Sequence, residues 1–427
     1  MPLLAHRLRS SVVIAYVAFV LTGIGASVGT VVLPAQIADY GVDRQTIGLT
    51  FFTFSAGFFL AGATTGSLIA RLGTRTTLLL GSVAYVASAL YLASRPSFVA
   101  LVVVQLLAGY GGGLVESVLN AYLAELPSAT RRLNLLHAFF GVGALIGPVL
   151  ATWLLRSSEW TVVWLVLGLA GIPLGAAYAL AYPNRTVGRV RADVVDAVPA
   201  GAPSALGAEA VVTGATTPEH GSTHGGAPER APHEGLLADV LREPGVVLAA
   251  LFLTVYVGLE VSVGNWGVSY LVEARDLAEG PAGASVSGYW LGLTVGRFVI
   301  EPAARALRWT TVRTIAVCLV GVIAAAALVA ALPSGLAAAG GLALLGFFLG
   351  PLFPTAIAVV PRLTTPRLAA TAVGLMNAVS VVGGSALPWL AGALGDGVGI
   401  WTLLPFATVL GVVQLLVWRL VVARMRS

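Results

Sequence analysis

Apolar runs of roughly 20 residues recur from one end of this 427-residue chain to the other, and a run of that length spans the hydrocarbon core of a bilayer as a helix. Inside hydrocarbon an unpaired backbone N–H or C=O finds no water, so only helices and closed barrels can cross. The runs are continuous rather than alternating, which selects helices over a barrel. Twelve spans follow, at about 11–33, 46–70, 76–94, 97–125, 133–155 and 160–182, then at about 245–272, 284–306, 311–331, 334–360, 367–393 and 398–423. The expected class is an all-α membrane protein. Composition agrees, because only 10% of the residues are charged where a soluble domain carries about 25%.

Loop charge gives the orientation. Arginines such as Arg71, Arg75, Arg131, Arg132, Arg185, Arg308, Arg313 and Arg424 fall on one side of the alternation. The opposite loops mix Arg44, Arg95, Arg156 and Arg275 with Asp39, Asp43, Glu159, Glu273 and Asp396. The positive-inside rule then places both termini in the cytoplasm, as an even number of spans requires. His6, Arg7 and Arg9 before the first run resemble a signal peptide, but the run is too long and further spans follow, so it reads as a retained helix. Every basic residue is arginine and Ala and Gly abound, which fits high-GC bacterial coding and a bacterial cytoplasmic membrane. The net charge of +5 reflects topology and does not form a nucleic-acid stripe.

Three segments result: a six-helix bundle over 1–182, a flexible cytoplasmic linker over 183–243 rich in Ala, Gly, Pro, Thr and His, and a second six-helix bundle over 244–427. His220, His224 and His233 in the linker lack the spacing and partners of a metal site. The lone Cys318 lies in an apolar run and reads as a small buried hydrophobe. The halves echo each other: Gly109 to Gly113, Pro127 and Gly143 through Pro148 in the first match Gly346 to Gly350, Pro361 and Gly383 through Pro388 in the second. Parallel six-helix repeats around a midplane site are a recurring transporter design.

Charges within spans are expensive and mark function. Glu116 lies about 28 Å along span four, with Gly112 one turn before it and Asn120 one turn after, all on one face. A carboxylate beside an amide, with glycine leaving room, suits hydroxyl binding and proton exchange. Glu260 is central in span seven. Asn265 and Trp266 join its site only if nearby glycines bend the helix, and Asn377 in span eleven is a further candidate contact. Arg297, Glu301 and Arg305 are spaced one turn apart in span eight and predict an ion-pair ladder with a gating or structural role. His137 sits near the start of span five and reads as an interfacial, hydrogen-bonded histidine. No Walker A, HExxH or GxSxG pattern is present, so the chain is expected to be neither an enzyme nor an ATP-driven pump. It needs no cofactor, and an ion gradient or the substrate's own gradient drives it.

The second-to-third loop, Gly66-Ser-Leu-Ile-Ala70-Arg71-Leu-Gly73-Thr-Arg75, resembles the G-x-L-x-D-R-x-G-x-R signature of the major facilitator superfamily, with Ala70 in place of the aspartate. The resemblance implies the major facilitator fold, two six-helix pseudo-repeats usually working as a monomer, with Arg71 and Arg75 as structural or gating charges. More narrowly, Glu116 with Asn120, Asn134-Leu-Leu-His137 through Gly143, Tyr256-Val-Gly-Leu-Glu260 and Gly296-Arg297-Phe298 resemble the fucose–galactose proton symporters. That branch implies a small-molecule substrate, with Glu116 carrying the proton and contacting a sugar and Glu260 helping to bind it. Those permeases carry an aspartate where this chain has Thr30, so its first half has one carboxylate fewer. Gly143-Ala-Leu-Ile-Gly147-Pro148 also partly matches an antiporter signature. Proton-coupled symport of a monosaccharide-like solute and export of a drug or metabolite both remain open at this stage.

Overall fold

The computed structural model describes residues 2–126, 129–182, 236–331 and 334–425, and among these it contains no strand. Twelve long helices carry the fold: α1 (Pro2–Tyr40), α2 (Leu49–Leu72), α3 (Thr74–Ala93), α4 (Phe98–Ala124), α5 (Ala129–Leu155), α6 (Trp160–Ala181), α7 (Pro244–Glu273), α8 (Glu279–Ala306), α9 (Thr311–Ala331), α10 (Gly335–Leu349), α11 (Pro366–Gly397) and α12 (Leu403–Val422). Among the described residues, eleven candidate spans are long and apolar enough to cross a bilayer. The helix left out is α8, whose hydropathy is diluted by Gly, Ser, Arg297 and Glu301. It nevertheless packs as an integral member of the bundle, against α5 and α10.

Three boundaries differ from the sequence reading. Helix α1 runs on past Pro34 to Tyr40, where the Tyr40 hydroxyl donates to the Pro96 carbonyl at 2.7 Å. The single span expected over 334–360 breaks at Gly350 and Pro351 and resumes as a short helix, Leu352–Ala358, because proline cannot donate to the helical ladder. The expected linker ends early, since Leu236–Leu241 is helical. The rest of that linker, including His220, His224 and His233, lies outside the described residues.

Each half repeats one packing scheme. Helix α1 lies on α5, α2 on α4, and α3 on α4 and α6; in the second half α7 lies on α11, α8 on α10, and α9 on α10 and α12. The paired glycines explain the closeness of these crossings. A methyl group on Gly143 of α5 would strike the Val20 carbonyl of α1, and one on Gly383 of α11 would strike the Thr254 carbonyl of α7. Small residues at such positions let backbones approach where lipid provides no hydrophobic drive between helices.

Twelve spans leave both chain ends on one face of the bundle, here termed the terminal face; the opposite face is the distal one. The halves meet along α1–α7, α2–α11 and α5–α8. Named contacts between them are distal or near mid-bundle: Phe51 with Trp266 and Phe52 with Trp389, Thr152 against Gly283, and Thr294 against Gly141.

Candidate functional site

Helix α4 buries most of its inner turns. Gly111, Gly113, Leu114, Val115, Val118, Leu119, Tyr122 and Leu123 are all buried, whereas Gly112, Glu116 and Asn120 are part-exposed. Those three are four residues apart, so they form one open stripe down an otherwise packed helix. The Asn120 side-chain amide donates to the Glu116 backbone carbonyl at 2.9 Å, which leaves the carboxylate itself available. Among the described residues nothing pairs with that carboxylate. Tyr85 of α3, which the sequence reading missed, lies over Gly112, where a methyl would only just touch its ring, and its hydroxyl fills the place that a methyl on Gly25 of α1 would take. Two glycines on different helices leave the gap it fills, a pattern invisible until the helices are paired.

Helix α7 has the same design. Most of its residues from Gly245 to Leu271 are buried, and the part-exposed ones near its middle are Thr254, Val257, Glu260, Val261 and Asn265. The Glu260 carboxylate lies 3.8 Å from Arg297 of α8. The Tyr289 hydroxyl donates to the Glu260 backbone carbonyl at 3.0 Å, and the buried Tyr256 hydroxyl lies beside both charges. The broken α10 supplies the remaining partner. The Gly350 carbonyl would accept the N–H of residue 354, but Pro354 has none, so Arg297 Nε donates to it at 3.1 Å. A helix defect on α10 therefore aims a cation on α8 at a carboxylate on α7.

This corrects the expected ladder on α8. Glu301 pairs with Arg305 at 3.0 Å, both well exposed, while Arg297 turns inward to Glu260. Trp266 does not join the site: α7 is one continuous helix, the side chain is fully buried, its indole N–H donates to the Pro388 carbonyl at 2.7 Å, and its ring packs on Gly392. Asn377 is exposed on α11, its backbone carbonyl accepting from Ser380 at 2.8 Å, and no contact joins it to Glu260. Thr30 is buried with an unpaired hydroxyl. His137 packs edge-on to Phe19 of α1 at 5.6 Å.

Arg71 and Arg75 flank the α2–α3 turn on the terminal face, Arg71 exposed and Arg75 part-exposed. Gly73 sits between them with φ of 81°, a left-handed conformation that accounts for glycine at that point of the motif. On the distal face Arg44, just before α2, donates to Asp396 of α11 at 3.1 Å and to Glu273 of α7 at 2.5 Å. Sequence reading used Arg44 only for topology. Nothing in the chain's local pattern pairs it with helices more than 200 positions away.

The family model described as Major Facilitator Superfamily matches residues 15–388. Bypass of stop codon protein 6 of Saccharomyces cerevisiae is 25% identical over 406 residues, covering 92% of this chain and 78% of that protein. A glucose/galactose transporter of Brucella abortus is 25% identical over 374 residues, covering 82% and 79%. A multidrug resistance protein B homolog of Mycobacterium tuberculosis is 32% identical over 158 residues, only 34% of this chain and 29% of that one. Among solved structures, a bacterial homolog of the human lysosomal transporter Spinster, inward-facing and unoccupied, superposes with a TM-score of 0.75 over 98% of both chains at 13% identity. That last likeness is one of fold alone.

Proposed function

The chain belongs to the Major Facilitator Superfamily and is a membrane transporter rather than an enzyme; from that premise we propose that it moves a monosaccharide-like solute together with protons by alternating access. The observation that carries the reading is the contrast between two interior carboxylates. Glu260 has Arg297 at 3.8 Å, whereas Glu116 has no ionic partner among the described residues and stands on the open stripe of α4. An uncompensated charge inside a membrane protein costs several kcal/mol, and a proton is the simplest compensation. Glu116 is therefore assigned the coupling proton and, with Asn120, the solute's hydroxyls. Glu260, held by Arg297, takes the opposite side of the solute. Arg71 and Arg75 act as structural charges on the terminal face.

The terminal face is assigned to the cytoplasm of a bacterial inner membrane by the positive-inside rule, and the protein works as a monomer. With Arg44 clamping the distal face shut, the solute then leaves toward the cytoplasm. The Brucella relative's name supports the sugar class. The test is uptake into proteoliposomes under an imposed proton gradient. D-galactose or D-glucose should accumulate in the parent, and Glu116→Gln should lose accumulation while keeping solute exchange at equal concentrations. Accumulation undiminished in Glu116→Gln would overturn the assignment.

Export is the second reading, favoured by the local match to the multidrug resistance homolog and by Gly143-Ala-Leu-Ile-Gly147-Pro148. Thermal stabilisation by hydrophobic cations and by no sugar would select it.

A further inference from the structure

One side chain of α3 reaches the open stripe of α4 from outside it. At the α3–α4 crossing a methyl on Gly111 would strike the Tyr85 backbone nitrogen and the Gly81 carbonyl, so the backbone that carries Tyr85 is held against α4. From there the ring lies over Gly112, where a methyl would meet it at 3.9 Å and meet nothing else within 4 Å. The hydroxyl ends on α1, in the place a methyl on Gly25 would take. Gly112 is one turn from Glu116 on the same face. Because α4 runs from the distal face to the terminal one, Tyr85 bounds the stripe on the distal side of that carboxylate.

The hydroxyl separates Tyr85 from the packing tyrosines of the same half. The Tyr182 hydroxyl donates to the Ser11 carbonyl at 2.7 Å, and the Tyr122 hydroxyl shares a hydrogen bond with that of Ser11 at 3.0 Å. The Tyr178 hydroxyl is sealed among its neighbours. Tyr85 is part-exposed, and its hydroxyl is neither bonded among the described residues nor one of the sealed groups. Space lies beside it: one turn past Gly25 on α1, a methyl at Gly29 would meet nothing within 4 Å. A phenol hydroxyl both donates and accepts, which matches a solute hydroxyl, and its carrier here is a backbone fixed by a helix crossing.

We propose that Tyr85 is a specificity-determining residue of the Glu116 site, its hydroxyl reading one hydroxyl of the polyhydroxylated solute from the distal side. This rests on the sugar-transport reading above, and the two can fail separately. The test uses full-length protein in proteoliposomes and solute exchange at equal concentrations, with D-galactose, D-glucose and their monodeoxy analogues as competitors. A site that bonds a substrate hydroxyl rejects the analogue lacking it, so the parent should bind one monodeoxy analogue at least five-fold more weakly than the full sugar. Tyr85→Phe should weaken the full sugar five-fold or more and erase the discrimination at that one position, leaving the other positions within about two-fold. Gly25→Ala displaces the hydroxyl while meeting no other side chain, and it leaves the ring carbon Cζ at 3.5 Å. It should weaken the sugar in the parent and add less than two-fold to Tyr85→Phe, as two changes acting through one contact do. A sugar that exchanges in Tyr85→Phe with unchanged half-saturation overturns the assignment and leaves sugar transport standing. A common loss for the full sugar and every analogue also overturns it, because the tyrosine then only supports the helices. Should Tyr85→Phe not yield monodisperse protein, Gly25→Ala decides alone, and unchanged half-saturation there overturns the assignment. If the parent neither exchanges nor accumulates any sugar, both readings fall.

Discussion

Arg44 and Asp396 are 352 positions apart in the chain and 3.1 Å apart in the structure. The same guanidinium reaches Glu273 at 2.5 Å, and the Gln45 backbone N–H adds a bond to Asp396 at 2.8 Å. One arginine of the first half is thus gripped by two helices of the second, α7 and α11. In the proposed alternating-access cycle the distal face opens, and this grip is what has to break for it to do so.

Removing the arginine should therefore favour the distal-open state. An exposed ion pair contributes up to about 1 kcal/mol, and networks with partly buried members contribute more, so Arg44→Gln should shift the population about five-fold or more. Labelling of a cysteine at Gly48, which packs against Trp389, should accelerate by that factor. Glu273→Gln with Asp396→Asn should reproduce the effect. An unchanged labelling rate in both variants would mean that packing of Phe51 and Phe52 on Trp266 and Trp389 closes this face without the charges.

The clamp should also weaken in acid through its cap. Asp43 caps the short helix Arg44–Ile47, accepting from the Thr46 N–H at 2.7 Å. Hydrogen bonds from Thr46 hold the Asp43 carboxyl below its ordinary pKa of 3.8. A carboxyl lowered by folding stabilises the fold above its ordinary value, and the contribution is lost as pH falls through the lowered one. Distal labelling should therefore rise as pH falls below about 4. Asp43→Asn keeps a capping oxygen without the titration and should flatten that part of the pH profile.

Glu260 and Arg297 should behave as a unit. Glu260→Gln removes the charge that faces Arg297 and turns one of the two acceptor oxygens assigned to the solute into a donor. We expect KM for sugar uptake to rise at least ten-fold, about 1.4 kcal/mol, while the proton dependence persists. Arg297→Lys should not restore function, because a lysine cannot hold Gly350 through an Nε while pointing a second donor at Glu260. A Glu260→Gln variant with unchanged KM would remove Glu260 from the binding site.

Much of this architecture could be read from the chain because lipid restricts what can cross it. Eleven spans announce themselves by hydropathy. The twelfth, α8, was found only because the reading allowed Arg297 and Glu301 inside a span. The stripe of Gly112, Glu116 and Asn120 was legible for a related reason: helical spacing is a local property. Contacts between helices were not. Spacing alone joined Arg297 to Glu301, whereas the structure joins it to Glu260 and Gly350. One clue was present, since Pro354 lies four residues after Gly350 and orphans its carbonyl. Trp266 was misread because a tryptophan near a glutamate suits a sugar site, and only the approach of α11 shows its indole committed to Pro388. The contacts of Arg44 depend on both halves at once, so no window of sequence contains them.

The repeat makes the sharpest prediction about stability, because it demands opposite results from the same substitution on one helix. Gly383 and Gly374 both lie in α11. A methyl at Gly383 would strike the Thr254 carbonyl of α7, whereas one at Gly374 meets nothing within 4 Å. Replacing glycine by alanine in a helix otherwise gains up to about 1 kcal/mol, and forcing extra volume into a packed crossing costs about 1–3 kcal/mol. Gly374→Ala should thus leave the melting temperature equal or higher, and Gly383→Ala should lower it by several degrees. Gly143→Ala, at the equivalent α1–α5 crossing against Val20, should match Gly383→Ala in sign and size. If Gly143→Ala is tolerated while Gly383→Ala is not, the two crossings do not carry equivalent loads and the echo between the halves is one of sequence only. Matching losses would show that both halves are held together by the same kind of close backbone contact.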